Sequence, residues 1–249
     1  MPTKNQIRYV HSLKQKKCRL EHGEFVVEGE KMVRELNESN WEVIASYHTS
    51  KNPHPVSGSE EVSDKDMERM SFLKSSSPAL AVVKQRTWQP GNWKGRSVLL
   101  DDIKDPGNLG TIIRTCDWFG VDRIICSNET VDMYNPKVIQ SSMGSMFRMP
   151  VVYRSLSGAI DELKKNEIPV LGTVLGGTNI FETSSLSEAA WIIGSESHGM
   201  SGEIQDRCDA LVSIPGFGQA ESLNAGIALA SFLAVNRYKE HTLNTKKPL

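Results

Sequence analysis

Apolar residues recur along this chain with two periods, and the changes from one period to the other divide it into alternating strands and helices. Ile7, Val10, Leu13 and Lys14 fall at helical spacing and predict an amphipathic helix near the N-terminus. Phe25-Val26-Val27 reads as a short strand, residues 29–40 as a helix with Met32, Val33 and Leu36 on one stripe, and 41–47 as a second strand. Pro53, Pro55 and Gly58 mark a loop, followed by a helix over 64–73 and a strand over 79–83. The stretch from Thr87 to Gly95, with Pro90 and Gly91, is polar and without period, as linkers are. Beyond it the alternation becomes regular. Strands are expected over 97–100, 123–126, 168–175, 190–193 and 210–214. Helices are expected over 109–119, 136–142, around 161–165, over 201–208 and over 221–238. Such βαβ units imply an α/β fold with a parallel sheet covered by helices on both faces. The pattern therefore predicts a small α/β unit over 1–87, a linker over 88–96 and a larger α/β domain over 97–249.

Composition narrows the function classes. With 249 residues, 39% hydrophobic and 24% charged, the chain can bury a core and is neither fibrous nor disordered. The longest uncharged apolar stretch lies within 223–235, short of the ~20 residues that span a bilayer. The basic N-terminus is not followed by the apolar run of a signal peptide, so the expectation is a cytoplasmic protein without a membrane partner. Cys18, Cys116, Cys126 and Cys208 form no CxxC pair, which suits a reducing compartment and argues against a zinc site. The net charge of −1 conceals a partition: residues 1–96 hold 16 basic and 12 acidic side chains, the remainder 13 and 18. Six basic and no acidic residues occupy the first twenty positions, among them Lys14, Lys16, Lys17 and Arg19. A polyanion such as RNA is attracted to such a surface, because neutralised phosphates release counterions; a solvated helix face is the plain alternative.

In open parallel sheets, ligands gather at the carboxyl ends of the strands. Three loops there stand out. Asp105-Pro106-Gly107-Asn108-Leu109-Gly110 runs into a helix that carries Arg114, with Asn108 read as its cap. Gly194-Ser195-Glu196-Ser197-His198-Gly199 is a glycine-bracketed loop with one carboxylate and one imidazole. Ile214-Pro215-Gly216-Phe217-Gly218 precedes Glu221-Ser222-Leu223-Asn224, where Ser222 reads as the cap of the closing helix. Taken singly, these are turns and caps. Neither GxxxxGK[ST] nor a GxGxxG between strand and helix occurs, which sets aside phosphate-loop and dinucleotide chemistry. Asp101-Asp102, at a strand end, reads either as a metal-holding pair or as solvated turn residues.

Taken together, the three loops resemble the three motifs of the SpoU/TrmH RNA methyltransferases of the SPOUT superfamily, in order and in spacing. Asn108-Leu109-Gly110 with Arg114 matches the first, Gly194-Ser195-Glu196 with Gly199 the second, and Ile214-Pro215 followed by Ser222-Leu223-Asn224 the third. Phe25-Val26-Val27-Glu28-Gly29 is similar to the substrate-binding domain that precedes the catalytic domain in many members. Ser197 stands where the family usually has glycine, and Ala225-Gly226-Ile227 departs from its usual continuation. The resemblance implies methyl transfer from S-adenosyl-L-methionine to a ribose 2′-hydroxyl of rRNA or tRNA, rather than of DNA, without a metal. It implies a C-terminal trefoil knot, and a homodimer packed through the knotted region. It assigns catalysis to Arg114, Asn108, Glu196, Ser222 and Asn224, and donor binding to Gly194, Gly199, Ile214, Pro215 and Leu223. By the same resemblance Arg114 activates the hydroxyl, with electrostatic activation favoured, Asn108 positions Arg114 and the nucleotide, and Glu196 either orients the RNA or hydrogen-bonds across the site. A catalytically inactive RNA-binding protein on the same fold is the competing expectation.

Overall fold

The computed structural model describes residues 2–245, with side chains through Thr242. The N-terminal part is built on a four-stranded sheet in the order β1-β4-β2-β3, formed by β1 (Glu24–Glu28), β2 (Val43–His48), β3 (Glu60–Glu61) and β4 (Ala79–Lys84). β4 lies antiparallel to both β1 and β2, so the two strands that the β-α-β pattern suggests as neighbours are separated by a third. The two-residue β3 falls in what reads as a loop; it pairs with β2 alone and is too short to carry a period. Its strands β1 and β4 are buried on both faces, and alternation sorts their side chains. Val26, Leu80 and Val82 meet Ile7, Val10 and Leu13 from α1 (Lys4–Ser12) and the segment after it, and Met67 and Met70 from α4 (Asp64–Met70). Phe25, Val27, Ala79, Ala81 and Val83 point the other way, toward Met32, Val33 and Leu36 of α3 (Glu30–Asn37).

The basic N-terminal segment is two helices. Thr3 and Gln6 close a capping box at the start of α1, the helix ends at Leu13, and α2 (Lys16–His22) begins after a turn. Arg19 is the reason the turn holds, and it corrects the expectation that this residue binds RNA. Its side chain is buried, donates to the carbonyls of Leu13 (3.1 Å) and Lys14 (2.7 Å), and pairs with Asp132 at 2.7 Å. Lys14, Lys16 and Lys17 are exposed. Arg19→Met is expected to lower stability by about 3–5 kcal/mol, since it leaves Asp132 mostly buried without its counter-charge. Chemical denaturation measures this, and an unchanged midpoint would show that the pair contributes nothing.

The second sheet has six strands, all parallel, in the order β10-β8-β9-β5-β6-β7. They are β5 (Arg96–Asp101), β6 (Arg123–Cys126), β7 (Val151–Tyr153), β8 (Val170–Asn179), β9 (Ala189–Gly194) and β10 (Ala210–Ser213). β7, unforeseen in the sequence, is three residues at the sheet edge after Pro150. Central strands are apolar on both sides. Val98 and Leu100 of β5, with Trp191 and Ile193 of β9, face α5 (Pro106–Phe119), α6 (Pro136–Ser142) and α9 (Ala225–Thr245). Leu99 and Ile192 face α7 (Leu156–Lys165) and α8 (Gly202–Asp206). The chain runs outward from β5 to β7 and then returns to the far side of β9, so the direction of winding reverses between β5 and β9. A crevice is expected at that switch point.

The two sheets share one core. The cluster on the α3 side of the first sheet continues into the α5, α6 and α9 side of the second. Polar ties cross the same boundary: the Trp41 indole donates to the Phe147 carbonyl (3.0 Å), Tyr134 hydroxyl to the Arg86 carbonyl (2.6 Å), and Arg148 pairs with both Glu35 (3.1 Å) and Asp117 (2.8 Å). The segment between the sheets is docked rather than free. Arg86 lies over the rings of Trp41 (5.2 Å) and Trp88 (5.0 Å), and Trp93 is buried. Its polar composition conceals these two tryptophan anchors. Cys116 and Cys126 are buried, and burial pushes both thiols up, so they act as small apolar groups. No helix among the described residues is long and apolar enough to cross a membrane.

Candidate active site

The loops after β5, β9 and β10 meet at the switch point. The cap of α5 is Asp105, not Asn108. Asp105 accepts the Asn108 amide N–H at 2.9 Å, and Pro106 fills the first helical position, where no N–H is needed. That hydrogen bond, with Lys137 at 3.1 Å, holds the Asp105 carboxyl below its usual range. The correction has a chemical consequence: with the helix end satisfied by Asp105, the Asn108 side chain is free for other work. The dipeptide Asp-Pro before an apolar helix is the signal that identifies this cap in the sequence.

The closing helix likewise starts later than its periodicity suggests. Ser222 does not cap it. Asn224 does, with its Oδ1 accepting from the amides of Gly226 (3.0 Å) and Ile227 (3.3 Å). Those backbone donors fix the orientation of the Asn224 amide, since only its oxygen can face them. Its Nδ2 therefore points away and donates to Asn108 Oδ1 at 2.8 Å. Asn108 is oriented in turn, and its Nδ2 donates to the Glu196 carboxylate. One directed string, Asn224 to Asn108 to Glu196, thus ties together the loops after β10, β5 and β9, and it ends on an acceptor carboxylate. Gly226 belongs to the same arrangement: a Cβ there would meet Thr111 Cγ2 of α5 at 3.0 Å.

The loop after β9 is folded tightly on itself. Ser195 and Gly199 exchange backbone hydrogen bonds at 3.1 and 2.9 Å, with Gly199 in the left-handed region at φ +68°. Gly194 lies against the backbone of Gly199 and Met200 with no room for a side chain. Ser197 has no positive φ, so the backbone does not require the usual glycine there; its hydroxyl hydrogen-bonds His198 Nδ1 at 2.8 Å. Asp101 fastens the far end of the loop by accepting the Ser201 amide at 2.9 Å. Asp102, in the left-handed region at φ +61°, pairs with Lys104 at 2.5 Å. Both members of the aspartate pair are therefore engaged in holding loops. Among the described residues no group of three or more potential metal ligands occurs.

Ile214 and Pro215 are half-buried at the end of β10, whereas Ser222 and Leu223 are exposed. Among the described residues, 215–223 spend no backbone or side-chain group on a hydrogen bond, so a run of backbone donors and acceptors stays open beside the string. The side chain of Arg114 is exposed and makes no hydrogen bond or ion pair among the described residues. It lies six residues beyond Asn108, about 120° round the helix, on the side that carries the exposed Trp118. The structure therefore joins Asn108, Glu196 and Asn224, and leaves Arg114 and Ser222 outside that group. The strand-end region also includes a feature without a sequence signal: between the pairs Leu211↔Gly172 and Val212↔Thr178, residues 173–177 of β8 bulge out of the sheet.

Comparison with known proteins identifies the family. A family model described as the SpoU rRNA methylase family matches residues 95–234, and one described as an MRM3-like substrate binding domain matches residues 4–81. The chain is 40% identical over 134 residues to the 23S rRNA (guanosine(2553)-2′-O)-methyltransferase RlmP of Bacillus subtilis, covering 53% of this chain and 54% of that protein. The match thus spans about half the length of that relative. A TrmH-family structure from Porphyromonas gingivalis superposes with a TM-score of 0.85 at 31% identity, covering 96% of this chain and 99% of that one. The SpoU methyltransferase AviRb of Streptomyces viridochromogenes, in complex with the cofactor AdoMet, gives 0.85 at 25% identity over 96% and 99% of the two chains. With its three strand-end loops joined by one hydrogen-bond string, and its residues 95–234 matching that model, the chain belongs to the SpoU rRNA methylase family.

Proposed function

We infer that the protein transfers a methyl group from S-adenosyl-L-methionine to a ribose 2′-hydroxyl of rRNA or tRNA. The observation that carries this reading is the Asn224–Asn108–Glu196 string, which draws three remote loops into one polar site at the switch point of the sheet. The relatives' names point the same way, as RlmP is a ribose 2′-O-methyltransferase and AviRb is found with AdoMet. The loops suit that donor, since 194–199 is a close-packed turn and 215–223 offers uncommitted backbone groups. In this reading Gly194, Gly199, Ile214, Pro215 and Leu223 hold the donor, which supplies an electrophilic methyl group. A 2′-hydroxyl is a weak nucleophile at neutral pH, so the protein's task is to orient it and stabilise the charge that develops on its oxygen. Glu196, aligned by Asn108, accepts a hydrogen bond from the ribose, and Ser222 lines the acceptor side. Arg114 supplies the positive charge, acting electrostatically rather than as a base.

We place the substrate-binding unit at 1–87 and the transferase at 97–249, with Lys14, Lys16 and Lys17 as RNA contacts. In the same reading the transferase unit closes with a trefoil knot, which is supported by the return of α9 onto α5 although β10 lies at the sheet edge. Two copies pair through α9 and α5. Leu223, Ile227 and Tyr238 are 47%, 56% and 70% exposed and Trp118 84%, an apolar surface that a monomer leaves in water. Leu229, Phe232 and Leu233, the other stripe of α9, are buried within the chain. Arg114 lies beside this face, so a dimer completes each acceptor site with the arginine of the partner.

The test is to incubate purified protein and labelled donor with total RNA from cells lacking the gene, then map ribose methylation. Transfer to a defined 2′-hydroxyl is expected, with chelator making no difference. No transfer to any rRNA or tRNA by folded protein would overturn the reading.

A further inference from the structure

A cleft of about 470 Å³ opens between the two sheets. Its first wall carries Lys14, Val26, Phe72 and Leu73, and its second Pro136 and Lys137 of α6. One residue fixes these walls relative to each other. Glu28, 3% exposed, accepts the Ser71 hydroxyl (2.6 Å) and the Phe72 amide (2.7 Å), and its own carbonyl accepts Gln140 Nε2 of α6 at 2.9 Å. The cleft is preformed, so a ligand entering it does not bear the cost of ordering its walls.

Its chemistry is that of a nucleotide site. The apolar faces of Val26, Phe72, Leu73 and Pro136 line it together with the polar Glu28, Asn135 and Gln140, while Lys14 and Lys137 stand on opposite walls. A base has flat apolar faces and a phosphate on one side, which is the complement of that arrangement. Lys14 is exposed and continues into Lys16 and Lys17. Lys137 reaches the other way, pairing with Asp105, the cap of the helix that carries Asn108. The rim is therefore one ion pair from the acceptor site.

We propose that this cleft holds one unpaired nucleotide of the RNA substrate, flanking the methylated one, with its base against Phe72 and Pro136 and its phosphate between Lys14 and Lys137. The proposal rests on the RNA-methyltransferase reading above, and the experiment separates the two. A short single-stranded RNA carrying 4-thiouridine is photocrosslinked to the full chain and the modified peptides are identified; in parallel, transfer to total RNA is measured for Leu73→Trp, which fills the cleft, and Lys14→Glu. Crosslinks are expected within 72–74 and 135–140. Leu73→Trp should raise KM for RNA about tenfold with donor affinity and melting temperature unchanged. Lys14→Glu should flatten the salt dependence of RNA binding by about one phosphate contact, while Lys165→Glu, on α7 across the second sheet, should not. If Leu73→Trp lowers the melting temperature, the crosslinks and Lys14→Glu decide alone. Methyl transfer with crosslinks elsewhere and an unchanged KM would overturn the cleft and leave the enzyme standing. Crosslinks in the cleft without any transfer would do the reverse.

Discussion

Arg114→Ala is expected to lower methyl transfer by about 10²–10³-fold, the usual loss when one preorganised charge is removed from a developing oxyanion. Donor affinity should stay within about twofold, because in the proposed reading the donor is held by 194–199 and 214–223 rather than by Arg114. The exposed position of Arg114, turned about 120° away from Asn108 on α5, adds a second expectation. If the arginine acts across the dimer, mixing Arg114→Ala with Asn108→Ala subunits creates one intact site in each mixed dimer. Activity should then recover to about a quarter of the wild-type level, although each variant alone is inactive. Action within one chain predicts no recovery. Near-normal turnover in Arg114→Ala would refute the catalytic role altogether, and light scattering that gives the mass of a single chain at all concentrations would remove the shared site.

How far these features were legible in the sequence depends on the range of the interaction that makes them. Central strands such as 97–100 and 190–193, and helices such as 136–142, follow from local apolar runs, and the structure has them within a residue or two. Helix starts were misplaced where two candidate caps compete. Asp105 stands just before α5 and Asn108 in its first turn, and Ser222 and Asn224 both precede α9; the choice is decided by what the remaining side chain finds elsewhere in the fold. Arg19 shows the same limit with larger effect. In a run of lysines it reads as one more solvated cation, and only Asp132, 113 positions away, turns it into a buried tie. The family motifs identified Asn108, Glu196 and Asn224 individually, but the directed string between them rests on amide orientations that no local pattern encodes. Trp88 and Trp93 in the segment between the sheets carry no period, so their docking could only be seen in three dimensions.

Gly194→Ala is expected to weaken donor binding by about 10–100-fold and to abolish transfer at ordinary donor concentrations. The methyl group would be forced into the backbone of Gly199 and Met200, which has no flexible side chain to give way. Overpacking of a close-set site costs about 1–3 kcal/mol, and here the strain is relieved most readily by opening the Ser195–Gly199 turn. That turn presents Glu196 to Asn108, so opening it breaks the string as well as the donor loop. Gly199→Ala offers a contrast. A Cβ there meets nothing within 4 Å, and its cost comes only from the left-handed φ of +68°, about 1 kcal/mol for a non-glycine residue. Calorimetry with S-adenosylmethionine should therefore rank the two variants, with Gly194→Ala the weaker binder by a clear margin, while melting temperature shows both to be folded. Equal affinities would mean that the loop tolerates a side chain at position 194, and that the donor is held elsewhere.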